Sequence, residues 1–378
     1  MTADSEQPGH HPSGPHEHGH SVYEPGEFLG APPEEAIPER EVSLARRFLN
    51  VRTIGSIVFG VLILVLLFRV VLDIDLGKTW AHITSANLLF LLLATLAYYA
   101  TFPLRGLRWR FVLGRVGTQI GRRDATEILF LSWFVNCLVP AKLGDLYRAY
   151  LLKGNYGGSI SRTVGTIFIE RIADIVVIFA LALAAGFWSF RGRSRPEIDA
   201  LFLAGFVMAA ILVLLVIGLN YFGGRLTRFL PERVAEFYAR FHEGSTGALT
   251  TRSLPVIGGL TTVIWLFEGL RLFFVIRALE LPDANLGISA SLFVALGGSL
   301  LTAIPLTPAG VGFVEAGIVG LLTLYGVVGE PAVAVALTDR AISILTVIVF
   351  GGILYAFSAK VRRAHAGGSG AEVAAAKG

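Results

Sequence analysis

Charged side chains are scarce in this chain of 378 residues: Asp, Glu, Lys and Arg together make up 16% of it. Soluble proteins carry roughly 25% charged residues, so this sequence has too few to cover the surface of a soluble domain. Soluble enzymes, nucleic-acid-binding proteins and disordered scaffolds are thereby excluded. The composition, 54% hydrophobic, instead predicts an all-α polytopic membrane protein, because a helix satisfies its own backbone hydrogen bonds in lipid.

Cysteine is almost absent, and the single Cys137 excludes a disulfide framework and a cysteine-based metal cluster. A P-loop is missing too. Gly77-Lys78-Thr79 matches the end of one, but Leu72 stands where its first glycine belongs. The net charge of +4 does not indicate a nucleic-acid partner, because the arginines flank hydrophobic segments. We expect no cofactor and no nucleic acid.

The two ends of the chain lack the hydrophobic residues that a core requires. We predict that residues 1–43 form a disordered, His- and Pro-rich cytoplasmic tail and that residues 361–378 form a disordered, Gly- and Ala-rich cytoplasmic tail. Residues 44–360 are predicted to form the membrane domain. A histidine-rich tract can bind Zn or Ni, and the first tail contains five histidines. Because a disordered tail does not preorganise them as ligands, we interpret them as part of a polar tail: His10, His11, His16, His18 and His20.

Six apolar segments are long enough to cross a membrane. They are 54–72, 86–104, 164–190, 200–222, 254–278 and 333–358. Arginines precede the first span and fill the stretch 105–123 after the second, so the positive-inside rule places this stretch and both termini in the cytoplasm. Three arginines after 164–190 disagree with that topology: Arg191, Arg193 and Arg195.

Two further apolar segments are interrupted by proline and glycine. Segment 128–139 has too few residues for a span and ends at Pro140 between basic flanks, which predicts a re-entrant helical hairpin entered from the cytoplasm. Segment 286–329 is broken at Pro305 and Pro308 and has acidic flanks. It forms either two spans or a second hairpin that enters from the opposite face.

The two breaks share a local pattern. The first reads Pro-Ala-Lys-Leu-Gly from Pro140 and the second Pro-Ala-Gly-Val-Gly from Pro308, with Asp145 and Glu315 close behind. Broken apolar segments at matching positions of two halves indicate the binding site of an inverted-repeat transporter. We therefore predict inverted repeats. The alternative is that Pro and Gly recur in any membrane-embedded turn.

Charges within the apolar segments mark a candidate site, since an ionisable group in hydrocarbon costs roughly 2.5 kcal/mol or more. Glu170 and Asp174 lie four residues apart on one helix face and need a cation between them. Lys142, Arg148 or a substrate amine could supply it. Alternatively the cluster lies at the membrane interface, with Arg171 reaching the headgroups.

The remaining internal charges also suggest pairs. Glu268 and Arg271 lie three apart and predict a structural ion pair. Glu315 is alone in over forty otherwise uncharged positions, with Arg340 as candidate counter-ion or else placed at the interface.

Both breaks are expected to start helices. The glycines before Glu315 suit a helix start whose free N–H groups bind an anion, and Asp145 is expected to cap the helix after the first break. The predicted headgroup cavity comprises Asn136, Lys142, Asp145, Arg148, Glu170, Arg171, Asp174, Gly310, Gly312, Glu315 and Arg340, and the helix breaks are Pro140, Gly144, Pro305 and Pro308.

The motifs around the two breaks, Glu170 to Asp174 and Arg340 resemble the flippase-like membrane family named for the transmembrane region of lysylphosphatidylglycerol synthase. The resemblance covers about 50–360. Lys142 stands where that family commonly has Arg, and Asp145 where it has Glu. Both exchanges keep the charge but alter its reach.

The resemblance implies a multi-pass protein of the cytoplasmic membrane that moves a charged or modified phospholipid, or a lipid-linked headgroup, between leaflets. Its partner is that lipid, with a separate lipid-modifying enzyme as a further candidate partner. The chain ends about 20 residues after its last span, so we do not expect the aminoacyl-transfer activity of the full-length synthases.

Two other functions stay open. Asp73 and Asp75 follow the first span, where paired carboxylates could hold a metal and a lipid phosphate in a membrane-embedded glycosyltransferase. The basic stretch 105–123 and the amphipathic segment 223–253 could instead dock an enzyme supplied by another chain, although anchoring to anionic lipid is the simpler use.

Overall fold

The computed structural model describes residues 74–139, 142–191, 231–248, 250, 253–281, 286–302 and 307–364, with isolated helical positions at 62 and between 203 and 218. The predicted spans 54–72 and 200–222 lie wholly or mostly outside the described residues, as do both predicted tails for the most part. Asp73, Pro140 and Pro305 lie outside them as well. All described residues belong to the unit Leu44–Gly378.

The described part of the chain is all α-helical, as predicted, with no strand. Its first half contains α1 (Leu76–Thr84), α2 (Leu88–Arg115), α3 (Arg122–Leu138), α4 (Leu143–Tyr156) and α5 (Ile160–Phe190). Its second half contains α6 (Glu232–Ala248), α7 (Leu254–Ala278), α8 (Ile288–Leu301), α9 (Phe313–Thr323), α10 (Glu330–Arg340) and α11 (Thr346–Phe357). A π-helical turn, Ala341–Leu345, joins α10 to α11 in one continuous rod.

Three described helices are long and apolar enough to cross a membrane: Leu88–Arg115, Leu254–Ala278 and Glu330–Phe357. They cover the predicted segments 86–104, 254–278 and 333–358. The predicted segment 164–190 lies within α5, a helix of 31 residues. The protein is therefore a polytopic, all-α membrane protein.

Helix α2 is longer than the sequence suggested. It continues to Arg115, so Arg105 and Arg108 belong to its interior and are buried. The prediction that the span ends at residue 104 was wrong, because the helix continues through these two residues. They are basic because they neutralise buried carboxylates on neighbouring helices, and the positive-inside rule does not apply to buried, paired arginines.

Both interrupted segments form helical hairpins. The arms of the first, α3 and α4, have 17 and 14 residues, and the arms of the second, α8 and α9, have 14 and 11. A helix that spans the hydrocarbon needs about 20 residues, so none of these arms is long enough to cross alone. The second segment thus forms a hairpin rather than two full spans.

The first hairpin is closed by polar contacts across its break. The side chain of Asn136 accepts the N–H of Gly144 at 2.8 Å, and the Ser132 hydroxyl donates to the Gly144 carbonyl at 2.7 Å. The residue at the N-cap position of α4 is Lys142, in the left-handed conformation at φ 54° and without a capping hydrogen bond from its side chain. The expectation that Asp145 caps this helix was wrong. It lies in the first turn, and its carboxylate instead accepts hydrogen bonds from Arg171.

The second hairpin turns through a 3₁₀ segment, Pro308–Gly310, that packs against α3 of the first hairpin. Helix α9 begins after Gly312, whose φ of 92° favours glycine. The Glu315 carboxylate accepts the Gly312 N–H at 2.7 Å. One N–H group of this helix start is therefore occupied by its own acidic side chain, and the predicted anion site there stays a prediction.

The order of elements repeats. A long helix, a hairpin and a second long rod follow one another in α2 to α5, the first repeat, and again in α7 to α11, the second repeat. The first long helices of the two repeats, α2 and α7, pack along each other. The breaks of the two hairpins consequently face a common interior.

The segment after α11 contacts the first hairpin. The Lys360 ammonium donates to Asp124 and to Glu127, at 2.7 Å each, and Ser358 also donates to Glu127. The hydrogen bond from Lys360 holds the pKa of the Asp124 carboxyl below its usual range. The end of the described chain is thereby tied to the start of α3.

Candidate functional site

A cavity of about 160 Å³ lies between the two hairpins. The first break contributes Val139 and Lys142 to its wall, and the second contributes Thr307, Ala309 and Gly310. The two interrupted segments, far apart in sequence, therefore meet at one polar cavity. Its other lining residues are Tyr98, Arg105, Trp133, Asn136, Cys137, Arg171, Trp265, Glu268, Arg271, Ser299, Thr302, Arg340, Ser343 and Ile344.

Each break carries a carboxylate that pairs with an arginine of the following rod. In the first repeat, Arg171 donates to Asp145 through two nitrogens, at 3.0 and 3.2 Å. In the second, Arg340 donates to Glu315 at 3.0 Å and also to the Ala309 carbonyl. The Glu315–Arg340 pair is the one that the sequence predicted, and it holds the rod against the 3₁₀ turn.

The cation between Glu170 and Asp174 is Arg108. It donates to Asp174 at 2.6 Å and to Glu170 at 3.3 Å, and Arg148 also donates to Glu170. Arg148 was among the predicted partners. Lys142 was too, but it makes no ion pair within the described residues. Arg108 was not predicted, since it was assigned to the basic stretch after the second span.

The predicted pair Glu268–Arg271 is present and belongs to a larger network. Arg271 also donates to Asp339 through two nitrogens, at 2.7 and 3.0 Å. On the other side of Glu268, Arg105 of the first repeat donates at 2.9 Å. Through Glu268, the network therefore connects the second repeat to the first.

The ion pairs of the two repeats follow one rule. Each rod contains an acidic residue followed directly by arginine, Glu170-Arg171 and Asp339-Arg340. The arginine pairs with the hairpin carboxylate 26 or 25 residues earlier. The acidic residue pairs with an arginine on the first long helix of its repeat, Arg108 or Arg271. The same electrostatic arrangement is thus built twice.

Aromatic rings support the arginines of the cavity wall. The Arg105 guanidinium lies 4.8 Å from the Trp133 ring centre and 5.2 Å from that of Trp265. The Arg171 guanidinium lies 5.1 Å from the Trp133 ring centre. A ring face attracts a cation most strongly where water is excluded, so these rings stabilise charge inside the membrane domain.

The predicted site residues occupy two layers. Those that line the cavity are Asn136, Lys142, Arg171, Gly310 and Arg340, and those that lie behind it as partners or at the breaks are Asp145, Arg148, Glu170, Asp174, Gly312, Glu315, Gly144 and Pro308. The sequence missed the contributions of Tyr98, Arg105, Arg108, Trp133 and Trp265, and it gave Glu268 and Arg271 a structural role only. The spacing of Arg105 and Arg108 on one helix face was the available signal for those two.

Of the two carboxylates of the alternative glycosyltransferase site, only Asp75 lies among the described residues. Asp75 caps α1, where its carboxylate accepts the N–H groups of Gly77 at 2.8 Å and Lys78 at 3.3 Å. Within the described ranges, no group of three His, Cys, Asp or Glu side chains is placed to hold a metal ion.

Known proteins with similar sequences are also membrane proteins. A UPF0104 membrane protein of Methanocaldococcus jannaschii is 36% identical over 222 residues, which cover 59% of this chain and 93% of that protein. A UPF0104 membrane protein of Methanothermobacter thermautotrophicus is 25% identical, over 78% of this chain and 91% of that protein.

A third relative is longer. Glycosyltransferase AglD of Haloferax volcanii is 27% identical over 78% of this chain, and the match covers 53% of that protein. Residues 54–351 match the family described as the lysylphosphatidylglycerol synthase transmembrane region. Since this match covers most of the chain and includes both hairpins, the protein belongs to the lysylphosphatidylglycerol synthase transmembrane-region family.

Proposed function

We propose that this protein moves a charged or modified phospholipid, or a lipid-linked headgroup, between the leaflets of the cell membrane. The observation that carries the proposal is the cavity between the two hairpins, where charged side chains of both repeats meet inside an otherwise apolar helix bundle. A polar headgroup in hydrocarbon costs several kcal/mol unless it finds partners. The cavity provides those partners while the acyl chains stay in lipid.

The proposal includes an orientation. Both termini lie in the cytoplasm, the first hairpin enters from that side and the second from the opposite side. Hairpins of opposite entry that meet at their tips place the site near the middle of the membrane, as in transporters built from inverted repeats. The cavity would then be reached from either leaflet by movement of one repeat against the other.

A variant at the second break tests this function. Glu315→Gln keeps an acceptor for the Gly312 N–H but removes the charge that holds Arg340. We expect leaflet exchange in proteoliposomes to fall about ten-fold or more, because the wall of the cavity loses a charge-assisted hydrogen bond. Exchange is measured with chain-labelled fluorescent phosphatidylglycerol, phosphatidylethanolamine and lysylphosphatidylglycerol, by quenching the outer leaflet with dithionite.

A matched control is Glu243→Gln. Glu243 pairs with Arg162 on an exposed surface away from the cavity, so the same chemical change there should leave exchange unaltered. Thermal unfolding of both variants shows whether the fold is retained. Unchanged exchange in folded Glu315→Gln would contradict the role of the second break, and exchange no faster than in protein-free liposomes for all three lipids would contradict the proposed function.

A further inference from the structure

The wall of the cavity is strongly cationic. Five of its lining side chains are basic, and a single carboxylate, Glu268, lines it with them. The other carboxylates of the cluster lie behind the wall. The basic side chains at the wall are Arg105, Lys142, Arg171, Arg271 and Arg340.

Two of these cations have unused hydrogen-bonding capacity. Arg105 is 2% exposed, and its Nη2 donates to Glu268, but its Nη1 has no partner. A buried guanidinium nitrogen without an acceptor is costly, and this one belongs to a side chain that lines the cavity. Lys142 is half-buried at the first break and makes no ion pair within the described residues. Arg105 therefore lacks an acceptor for one nitrogen, and Lys142 lacks a counter-ion among the described residues.

The charges of the whole cluster do not balance. Among the described residues it contains seven cations, Arg105, Arg108, Lys142, Arg148, Arg171, Arg271 and Arg340, and six carboxylates, Asp145, Glu170, Asp174, Glu268, Glu315 and Asp339. Every one of the carboxylates is paired with an arginine. One positive charge is left over, and an isolated charge in the membrane interior is expensive.

We propose that the cavity binds an anionic lipid through a phosphate with one negative charge, held by Arg105 and Lys142. This inference rests on the proposed function and gives its substrate class. A phosphodiester supplies both the missing acceptors and the missing negative charge, and arginine and lysine are common phosphate partners. A headgroup amine would find all six carboxylates already paired, so the cavity disfavours a cationic aminoacylated headgroup.

Direct binding to the purified full chain tests the proposal. The probes are short-chain phosphatidylglycerol, the matching diacylglycerol without phosphate, the matching lysylphosphatidylglycerol, and inorganic phosphate alone. Dissociation constants are measured by calorimetry in detergent. We expect phosphatidylglycerol to bind about ten-fold or more tightly than diacylglycerol. Diacylglycerol or lysylphosphatidylglycerol that binds as tightly as phosphatidylglycerol would overturn the proposal, and inorganic phosphate of equal affinity would overturn its lipid part.

Variants of Lys142 provide the second arm. Lys142→Gln should weaken phosphatidylglycerol binding about ten-fold while binding of diacylglycerol is unchanged, and Lys142→Arg should retain the affinity because it keeps the charge. Lys78→Gln removes an exposed lysine on α1 and serves as the control. Full affinity in folded Lys142→Gln would refute the site.

The two proposals fail separately. If the protein binds phosphatidylglycerol but exchanges no lipid, the anion site stands and the proposed translocation is refuted. If it exchanges all headgroups at the same rate, translocation stands and the anion site is refuted as the determinant of the substrate.

Discussion

Arg271→Ala is expected to lower the free energy of unfolding by about 3–5 kcal/mol, the usual cost of removing one partner from a buried ion pair. Arg271 is the arginine that neutralises Asp339, which is 1% exposed. Glu268 keeps Arg105 after the substitution, so Asp339 carries most of the loss. Equilibrium unfolding of the purified protein in detergent micelles, followed by circular dichroism, measures the change.

Two further variants identify the cause. Arg277→Ala removes an exposed arginine near the end of the same helix and should change the free energy of unfolding by less than about 1 kcal/mol. Arg271→Met combined with Asp339→Leu replaces both members of the pair and should recover much of the stability, since hydrophobic replacement of a whole buried pair is often neutral. A loss under 1 kcal/mol in Arg271→Ala would show that Asp339 is neutralised in some other way.

Gly144→Ala is expected to open the first hairpin. A Cβ at this position would lie 2.1 Å from the Ser132 carbonyl oxygen and 2.7 Å from the Asn136 side chain. Because the nearest atom belongs to the backbone, the two arms must separate. Overpacking of this kind costs about 1–3 kcal/mol and sometimes more, and we expect a value at the upper end of that range. Micelle unfolding again provides the measurement.

The second hairpin offers a matched control. Gly320 lies in α9 with open space around its Cβ position. Gly320→Ala should be neutral or stabilise by about 0.5–1 kcal/mol, since alanine is the better helix former. Separation of the arms in Gly144→Ala would also displace Lys142 and Asp145, so this variant should lose leaflet exchange while Gly320→Ala retains it. Equal stability of the two variants would refute the close approach.

The features that the sequence predicted well follow from the cost of charge in lipid. Glu315 had to be neutralised, and few cations were available to do it, so its pairing with Arg340 could be anticipated. The hairpins were predictable because proline and glycine interrupt apolar runs that are too short to span.

The features that were missed depend on context. Arg105 and Arg108 follow a span, which is where arginines of a cytoplasmic loop also occur, and only the continuation of α2 distinguishes the two situations. The positions of Trp133 and Trp265 beside Arg105 depend on how three helices pack. The repeated acid–arginine dipeptide lies in the rods, outside the Pro- and Gly-containing breaks from which the repeat was predicted.

The distribution of ion pairs determines how the two repeats can move. Within the described cluster, Arg105–Glu268 is the ion pair whose members come from different repeats, and all the others are internal to one repeat. Hydrogen bonds also cross between the repeats, from Arg108 to Thr261, from Trp265 to Asp174 and from Tyr98 to the Ser343 carbonyl. Outside the cluster, the Lys360 ammonium also joins the second half to Asp124 and Glu127 of the first. Sliding one half past the other would therefore rupture a single salt bridge inside the cluster and the Lys360 pairs outside it, while the other ion pairs of the cluster stay intact.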